Sequence, residues 1–485
     1  MSLGERGAPG EQPRRRAARA RWARWPALLA LVALGLGLLV ALSFHLGYLA
    51  SLPVPIIEQV EDLESIRRLL VVAPHCDDEV IAAGGLIQGV LAAGGEVRVA
   101  LLTNGDGSFT GTQVEYRKLY PTSRDYVHAG TARQQESLNA LAALGLDEDH
   151  VFFLSYPDRG IAALWETYWR DSAPYQSPFT RFVRSPYQRT YNPNAVYSGQ
   201  SLLGDLSRIL VEFAPDTVLS PHPHDDHPDH WAGGAFTNLA VARLGEQDRP
   251  RVLLYLVHRA SFPVPRGYLP YAPLLPPLAL VNDSCAWSIA PLSEEAIERK
   301  AAAVGLYRSQ LALIGKFLWS FVRQNEAFCE MAPYQARPLA RATGPNPADW
   351  EAVDGEEILI IAQDSTRDTL PKELGPAGDF VSLRLAQVNG ELWVAAEVRA
   401  KASSLLSYAC TLHAASDDQV IVAQRAFPPR ITARSQDDAQ ANFVLARFSL
   451  AELGNPHTVL VSFRSRYPGG ATIDRVGWAL ATLAP

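Results

Sequence analysis

LLVVAPHCDDEVIAAGGLIQGVLAAGG, residues 69–95, runs three patterns together. LLVVA (Leu69–Ala73) is a continuous apolar run, the signature of a strand buried on both faces. Glu79–Ala93 carries a helical pattern, and Gly94-Gly95 sits where a helix stop belongs. PHCDDE (Pro74–Glu79) lies between them, at the strand's carboxyl end. The same alternation continues outward. VRVALLT (Val97–Thr103), VFFLS (Val151–Ser155), TVLS (Thr217–Ser220) and VLLYLV (Val252–Val257) read as strands, and Ala132–Leu144, Leu202–Phe213 and Trp231–Leu244 as helices. This order predicts an α/β fold, a mainly parallel three-layer sheet. In such sheets the ligand site lies outside the carboxyl ends of the strands.

A second polar cluster, PHPHDDHPDH (Pro221–His230), follows TVLS at another strand end. The two clusters hold five of the chain's 11 histidines, together with Asp77, Asp78, Glu79, Asp225, Asp226 and Asp229. Imidazole and carboxylate ligands suit zinc or another divalent first-row metal. A catalytic metal needs three protein ligands and an open position, and a spare carboxylate nearby to take a proton from water. Each cluster alone is ordinary turn and cap chemistry; two of them at strand ends of one α/β domain predict a metal site. Asp225 and Asp226 read as solvated turn residues. His222 and His224 read either as supports behind the ligands or as surface residues.

Composition bounds the partners. Of the net charge of −7, residues 1–25 contribute +5, from seven arginines against Glu5 and Glu11, so the remainder carries −12. An acidic body argues against nucleic-acid binding, which needs a basic footprint. No residue from Pro26 to Phe44 is charged. Those nineteen residues span roughly 28 Å as a helix, close to the hydrocarbon thickness of a bilayer. They predict a transmembrane anchor, preferred over a cleaved signal peptide because the apolar run is long and Tyr48-Leu49-Ala50 is a poor cleavage site. The arginines place the N-terminus in the cytoplasm and the catalytic domain outside it. Cys76, Cys285, Cys329 and Cys410 are too few for a disulfide scaffold and leave any pairing open.

The expected organisation is a basic tail (1–25), the anchor (26–50), a connector (51–65), the α/β domain (66–325), a Pro-rich linker (326–356) and a C-terminal domain (357–485). Trp165–Tyr197 lacks periodicity and reads as a long loop near the site. Ser293–Phe328 reads as one long closing helix, capped by Ser293. Beyond residue 356 the pattern changes to period two, as in Leu392–Ala400, Ser407–Ala414, Gln419–Ala426, Phe443–Leu450 and Thr458–Arg466. Such strands at short spacing predict a β-sandwich. It holds no metal or nucleophile cluster, so it is expected to close its own core, and its removal is expected to leave the site formed.

With the paired motifs in place, residues 66–325 resemble the LmbE-like family of de-N-acetylases, which includes the N-acetylglucosaminyl-phosphatidylinositol de-N-acetylase (PIG-L). That family carries (P/A)HPDDE after its first strand and HxDH after a later one; here these are PHCDDE and His227-Pro228-Asp229-His230. The resemblance implies a Rossmann-like fold and zinc-dependent hydrolysis of N-acetyl groups, commonly on glucosamine. It implies metal ligands at His75, Asp78 and His230, a general base at Asp77, an oxyanion-stabilising or acid histidine at His227, and Asp229 orienting His227 by a hydrogen bond. TARQQE (Thr131–Glu136) makes Arg133 a candidate substrate contact, against an internal Arg133–Glu136 salt bridge. SYPDRG (Ser155–Gly160) offers Asp158 to sugar hydroxyls, and Lys300 with Tyr307–Gln310 resembles the family's late helix. Cys76 replaces the usual Pro and is read as structural. The expected substrate is an N-acetylated sugar or glycoconjugate, released as acetate and a free amino sugar. The rivals are a zinc hydrolase of another acyl substrate and a cell-surface glycan-binding protein with a retired site.

Overall fold

The computed structural model describes residues 65–259, 262–281, 285–330, 360–416, 419–428 and 442–483, with short stretches at 58–59, 334–335, 340–342 and 350–352 and parts of 30–46. About half of the expected anchor at 26–50 lies outside these. Among the described residues no helix is long and apolar enough to cross a membrane.

The first body is a sheet of β1 (Glu58–Gln59), β2 (Arg68–Ala73), β3 (Glu96–Thr103), β4 (Val151–Tyr156), β5 (Thr217–Pro221), β6 (Arg251–Tyr255), β7 (Ala286–Pro291) and β8 (Asn325–Glu330). Its order is β1-β7-β8-β6-β5-β2-β3-β4. All neighbours pair parallel except β8, which is antiparallel to both β6 and β7. The runs are continuous because successive side chains enter different cores. Leu69, Val71 and Ala73 lie in one apolar cluster with helices α1 (Asp78–Ala92) and α3 (Ser123–Ala143). Leu70 and Val72 lie in the other, with α4 (Ile161–Glu166), α5 (Gly199–Phe213) and α6 (Pro228–Ala242). A shorter helix, α2 (Phe109–Tyr116), precedes α3.

The chain leaves β2 for β3 and β4 on one side, then returns to place β5 on the other. The strand order therefore reverses between β2 and β5, the switch point where open α/β sheets bind ligands. Both polar clusters leave the carboxyl ends of these two adjacent strands. Close approach is permitted by Gly234, where a Cβ would lie 2.4 Å from the Pro221 carbonyl oxygen.

Three expectations change. The long helix at Ser293–Phe328 is two helices, α7 (Glu294–Val304) and α8 (Arg308–Leu318), broken across Gly305–Tyr307 and followed by strand β8. Residues 325–330 thus belong to the main sheet, and the linker expected from 326 opens inside a strand. The helix expected at Ala132–Leu144 begins nine residues earlier, at Ser123, where Thr122 and Asp125 form a capping box. Cys285 and Cys329 form a disulfide with a sequence separation of 44, tying the start of β7 to β8. Closing a loop of that length stabilises by about 4 kcal/mol in the chain-entropy account. Reduction is therefore expected to lower the denaturation midpoint, and identical melts with and without a thiol reductant would show that the bridge contributes nothing.

The C-terminal segment forms antiparallel sheets. One holds β12 (Ile360–Gln363), β13 (Phe380–Val388), β14 (Glu391–Val398) and β17 (Phe443–Ser449). The other runs β16 (Val420–Phe427), β15 (Ser407–Ala415), β18 (Thr458–Arg466), β20 (Ala479–Thr482) and β9 (Tyr334–Gln335), with β19 (Thr472–Arg475) on β18; β10 (Ala340–Ala342) and β11 (Trp350–Ala352) pair separately. Alternate residues of both larger sheets share one core, among them Leu383, Val394, Leu412 and Val461. The opposite face of the second sheet is covered as well. Ala415, Leu460 and Trp478 join the apolar cluster beneath α4–α6, so the C-terminal segment closes a core of its own, as expected, and also packs on the first body.

Candidate metal centre

His75 and Asp78 lie at the β2–α1 junction and His230 in the first turn of α6. His75 Nδ1 is 3.1 Å from Asp78 Oδ2 and 3.2 Å from His230 Nε2, and His230 Nε2 is 3.0 Å from Asp78 Oδ2. Three potential ligand atoms, 155 residues apart at the extremes, thus form a triangle with sides near 3 Å. Tetrahedral ligands on zinc, with bonds of 2.0–2.1 Å, stand about 3.3 Å from one another. The donor set fits such a cation.

A fourth group was missed. The ligand atoms of His75, Asp78, His230 and His258 all lie within 4.8 Å of one another. His258 directly follows the apolar run that became β6, the next strand beyond β5; its position at a third carboxyl end was the available signal.

Behind the ligands stand carboxylates. Asp225 is buried, against the expectation of a solvated turn residue. Its Oδ1 accepts from His227 N–H at 2.8 Å, and Oδ2 accepts from Val257 and His258 N–H at 3.1 and 3.0 Å. The same Oδ2 is 3.3 Å from His230 Nδ1. A histidine whose outer nitrogen faces a carboxylate is fixed in ring orientation and made a better donor at the other nitrogen. Asp226, by contrast, is exposed enough to face solvent and lies 3.7 Å from Arg259.

Asp158 and Asp229 also face the outer nitrogen of a ligand. His75 Nε2 is 3.3 Å from Asp158 Oδ1 and 3.5 Å from Asp229 Oδ2. The hydrogen bond expected between Asp229 and His227 is present, but it runs through the Asp229 backbone and not its carboxylate. That carboxylate accepts instead from the N–H groups of Arg159 (2.5 Å) and Ile161 (3.0 Å), while the Asp229 N–H donates to His227 Nδ1 at 3.2 Å. Asp158 accepts from Gly107 N–H at 2.6 Å as well as lining the cavity, so its carboxylate is largely engaged before any sugar arrives.

Asp77 occupies a backbone conformation rare outside glycine, φ 149° and ψ −30°. Its N–H donates to Glu79 Oε2 at 2.9 Å. Glu79 Oε1 in turn accepts from Ser137 Oγ and Tyr307 Oη at 2.5 and 2.7 Å. Such strain persists only where the surroundings over-determine it. Arg133, a candidate substrate contact, lines the site cavity and also serves the same residue: it donates to the carbonyls of Cys76 (2.8 Å) and Gly105 (2.9 Å) and lies 3.3 Å from Asp77 Oδ2. Gly105 has φ 64°, and a Cβ there would sit 1.8 Å from the guanidinium. Glu136 makes no pair with Arg133; it accepts from Ser309 N–H and Oγ at 2.9 and 2.6 Å, joining α3 to α8. Cys76 is buried, packed 3.9 Å from the Thr103 carbonyl. His222 is buried 3.4 Å from Cys285 Sγ, and His224 is partly buried 3.5 Å from Asp364 of the C-terminal segment.

Electrostatics separates the two neighbouring aspartates. Counting only the chain's own charges, burial pushes Asp77 up to about 7 against the pull of Arg133. Burial acts on Asp78 as well but is outweighed by His230 and His75, which hold it well below the usual carboxylate range. Burial, reinforced by the charges of His75 and His230, drives His227 down to about 2, so its imidazole is neutral. These groups open onto a cavity of about 160 Å³ whose far wall is Ile314, Phe317 and Leu318. A larger cleft of about 860 Å³ between α4–α5 and strands β15–β16 contains none of them.

Residues 70–241 match the sequence profile of the GlcNAc-PI de-N-acetylase family, PIG-L. Over 184 residues the chain is 33% identical to a 1D-myo-inositol 2-acetamido-2-deoxy-alpha-D-glucopyranoside deacetylase of Mycobacterium sp. (strain KMS), covering 37% of this chain and 52% of that relative. A protein of the same description from Corynebacterium diphtheriae is 27% identical over 291 residues, 58% of this chain and 89% of the relative. The chain spans about half the length of the first of these relatives. The N,N'-diacetylchitobiose deacetylase of Pyrococcus horikoshii aligns with a TM-score of 0.35 and 19% identity, over 55% of this chain and 84% of that one. Both polar clusters fall inside the matched stretch, and the chain carries a domain of the PIG-L, or LmbE-like, deacetylase family.

Proposed function

We propose that this chain hydrolyses the acetamido group of an N-acetylglucosamine-type sugar conjugate. The observation that carries the reading is the convergence of His75, Asp78 and His230 beside Asp77, a carboxylate that no ligand position needs. A divalent first-row cation held by these three, with His258 adjacent, would polarise an acyl carbonyl and lower the pKa of water. The rest is the work of the chain's own side chains. Asp77, held by Arg133 and by its Glu79-anchored backbone, takes the proton of the attacking water. Burial favours its protonated form, so it can hold that proton and return it to the leaving amine. His227 accepts a backbone N–H at Nδ1, so its neutral ring carries the proton on Nε2. A hydrogen-bond donor of that kind at the cavity wall stabilises a developing oxyanion. The apolar wall formed by Ile314 and Phe317 suits the acyl methyl.

The test is acetate release from a panel of N-acetylglucosamine conjugates, with inositol, chitobiose and lipid-linked members. Turnover is expected on at least one, to fall below detection after chelation, and to return with added zinc or another first-row ion. A metal-loaded chain that releases acetate from none of them, but hydrolyses other acyl groups or only binds glycan, would overturn the proposal.

A further inference from the structure

Arg259 directly follows His258, and its side chain is buried between the two bodies of the molecule. Its Nη1 donates to the His224 carbonyl at 2.6 Å, within the loop that leads to His230. Its Nη2 pairs with Asp368, just ahead of the short helix α9 (Leu370–Leu374) in the C-terminal segment. Asp368 is itself fixed. Lys372 Nζ, also buried, lies 2.8 Å from Asp368, 3.2 Å from Asp474 and 3.3 Å from Asp364. Asp364 reaches back to His224 Nδ1 at 3.5 Å.

The other side of the same turn belongs to the metal centre. Asp225 joins the N–H groups of Val257 and His258 to His230 Nδ1, and Asp226 N–H donates to the His258 carbonyl at 2.7 Å. The two segments carrying His230 and His258 are thus tied to each other by Asp225 and to the C-terminal sheets by Arg259.

We propose that Arg259 is a positioning residue through which Asp368 of the C-terminal sheets holds the His258–Asp225–His230 arm of the metal centre in register. The proposal rests on the reading of that centre as a cation site, and on no particular substrate. A guanidinium suits the task because its rigid fork serves the carbonyl of one loop and the carboxylate of another body at once. A carboxylate behind a metal-bound histidine contributes about ten- to a hundredfold in metal affinity when intact. Arg259 acts one step further out, on the turn that carries the Asp225 partners.

The experiment uses the full chain and reads zinc affinity by chelator competition, with no substrate present, alongside the melting temperature of the metal-free protein. Arg259→Gln and Asp368→Asn are expected each to weaken zinc binding about tenfold. The double variant should be no weaker than either single one, because the two act as a unit. Glu166→Gln is the control. Glu166 pairs with Arg464 at 2.7 Å and also joins the two bodies, but on α4, away from the His258 turn. It is expected to lower the melting temperature and leave zinc affinity within twofold. If Arg259→Gln does not fold, the near-isosteric Asp368→Asn decides. Wild-type zinc affinity in Asp368→Asn, or an equal loss in Glu166→Gln, would show that Arg259 only holds the bodies together and overturn the proposal. Loss of zinc affinity in a chain that deacetylates nothing would sink the proposed activity and leave the positioning role standing.

Discussion

Asp77→Asn is expected to keep its metal and lose nearly all turnover, about 10²- to 10⁴-fold. The side chains are nearly isosteric, and Asn tolerates unusual positive-φ conformations better than most residues, so the Asp77 backbone at φ 149° should survive. Its N–H still reaches Glu79. What disappears is the ability to accept a proton from water. Asp78→Asn touches the same motif one residue later and should do something else. Asp78 Oδ2 stands 3.1 Å from His75 Nδ1 and 3.0 Å from His230 Nε2, and accepts the His75 N–H at 2.9 Å. Neutralising it removes the one anionic donor of the triangle, so metal affinity should collapse and activity follow. Metal content and kcat measured on both variants separate the roles. Equal metal loss in the two would mean that the carboxylates have been assigned the wrong way round.

The legible parts of the sequence were those set by local pattern. LLVVA and TVLS announced buried strands because both faces are covered, and the polar clusters after them had to meet once those strands proved adjacent. Partner choice was not legible. The HPDH spacing brings His227, Asp229 and His230 together, yet nothing in it says whether the Asp229 carboxylate faces His227 or the amides of Arg159 and Ile161, which arrive from a loop 70 residues away. Asp225 and Asp226 are adjacent acids in one turn, and only tertiary packing buries the first and exposes the second. His258 stands alone in sequence and gains meaning from β6 lying beside β5. Asn325–Phe328 fell within the helical pattern read from Ser293, yet Asn325–Glu330 pairs as a strand between β6 and β7. One signal was simply present and unread: Thr122-x-x-Asp125 marks the start of α3.

Removing residues 357–485 is expected to leave the remaining chain aggregated. The expectation of a separable sandwich came from alternation, which shows that one face of each strand is apolar and says little about what covers the other. Here the second sheet lies on the first body. His413 stacks on Trp165 with ring centroids 3.7 Å apart, and Trp478 meets Trp165 at 5.0 Å and Trp231 at 6.2 Å. Arg475 sits over the Trp231 ring at 3.7 Å. Trp165 and Trp231 of the first body are almost fully buried. Uncovering one face of each exposes on the order of 200 Å² of apolar surface, which costs about 5 kcal/mol at 25 cal/mol per Å². That is comparable with the whole stability of an ordinary domain, about 5–15 kcal/mol. The Arg259–Asp368 and Glu166–Arg464 pairs would be broken in the same cut. The truncated chain should therefore appear in the insoluble fraction, or bind a hydrophobic dye without a cooperative melt. Size-exclusion chromatography and metal analysis of the supernatant decide the matter: a monodisperse, metal-loaded truncation would show that the α/β body stands without its second half and that the shared core contributes far less than its area implies.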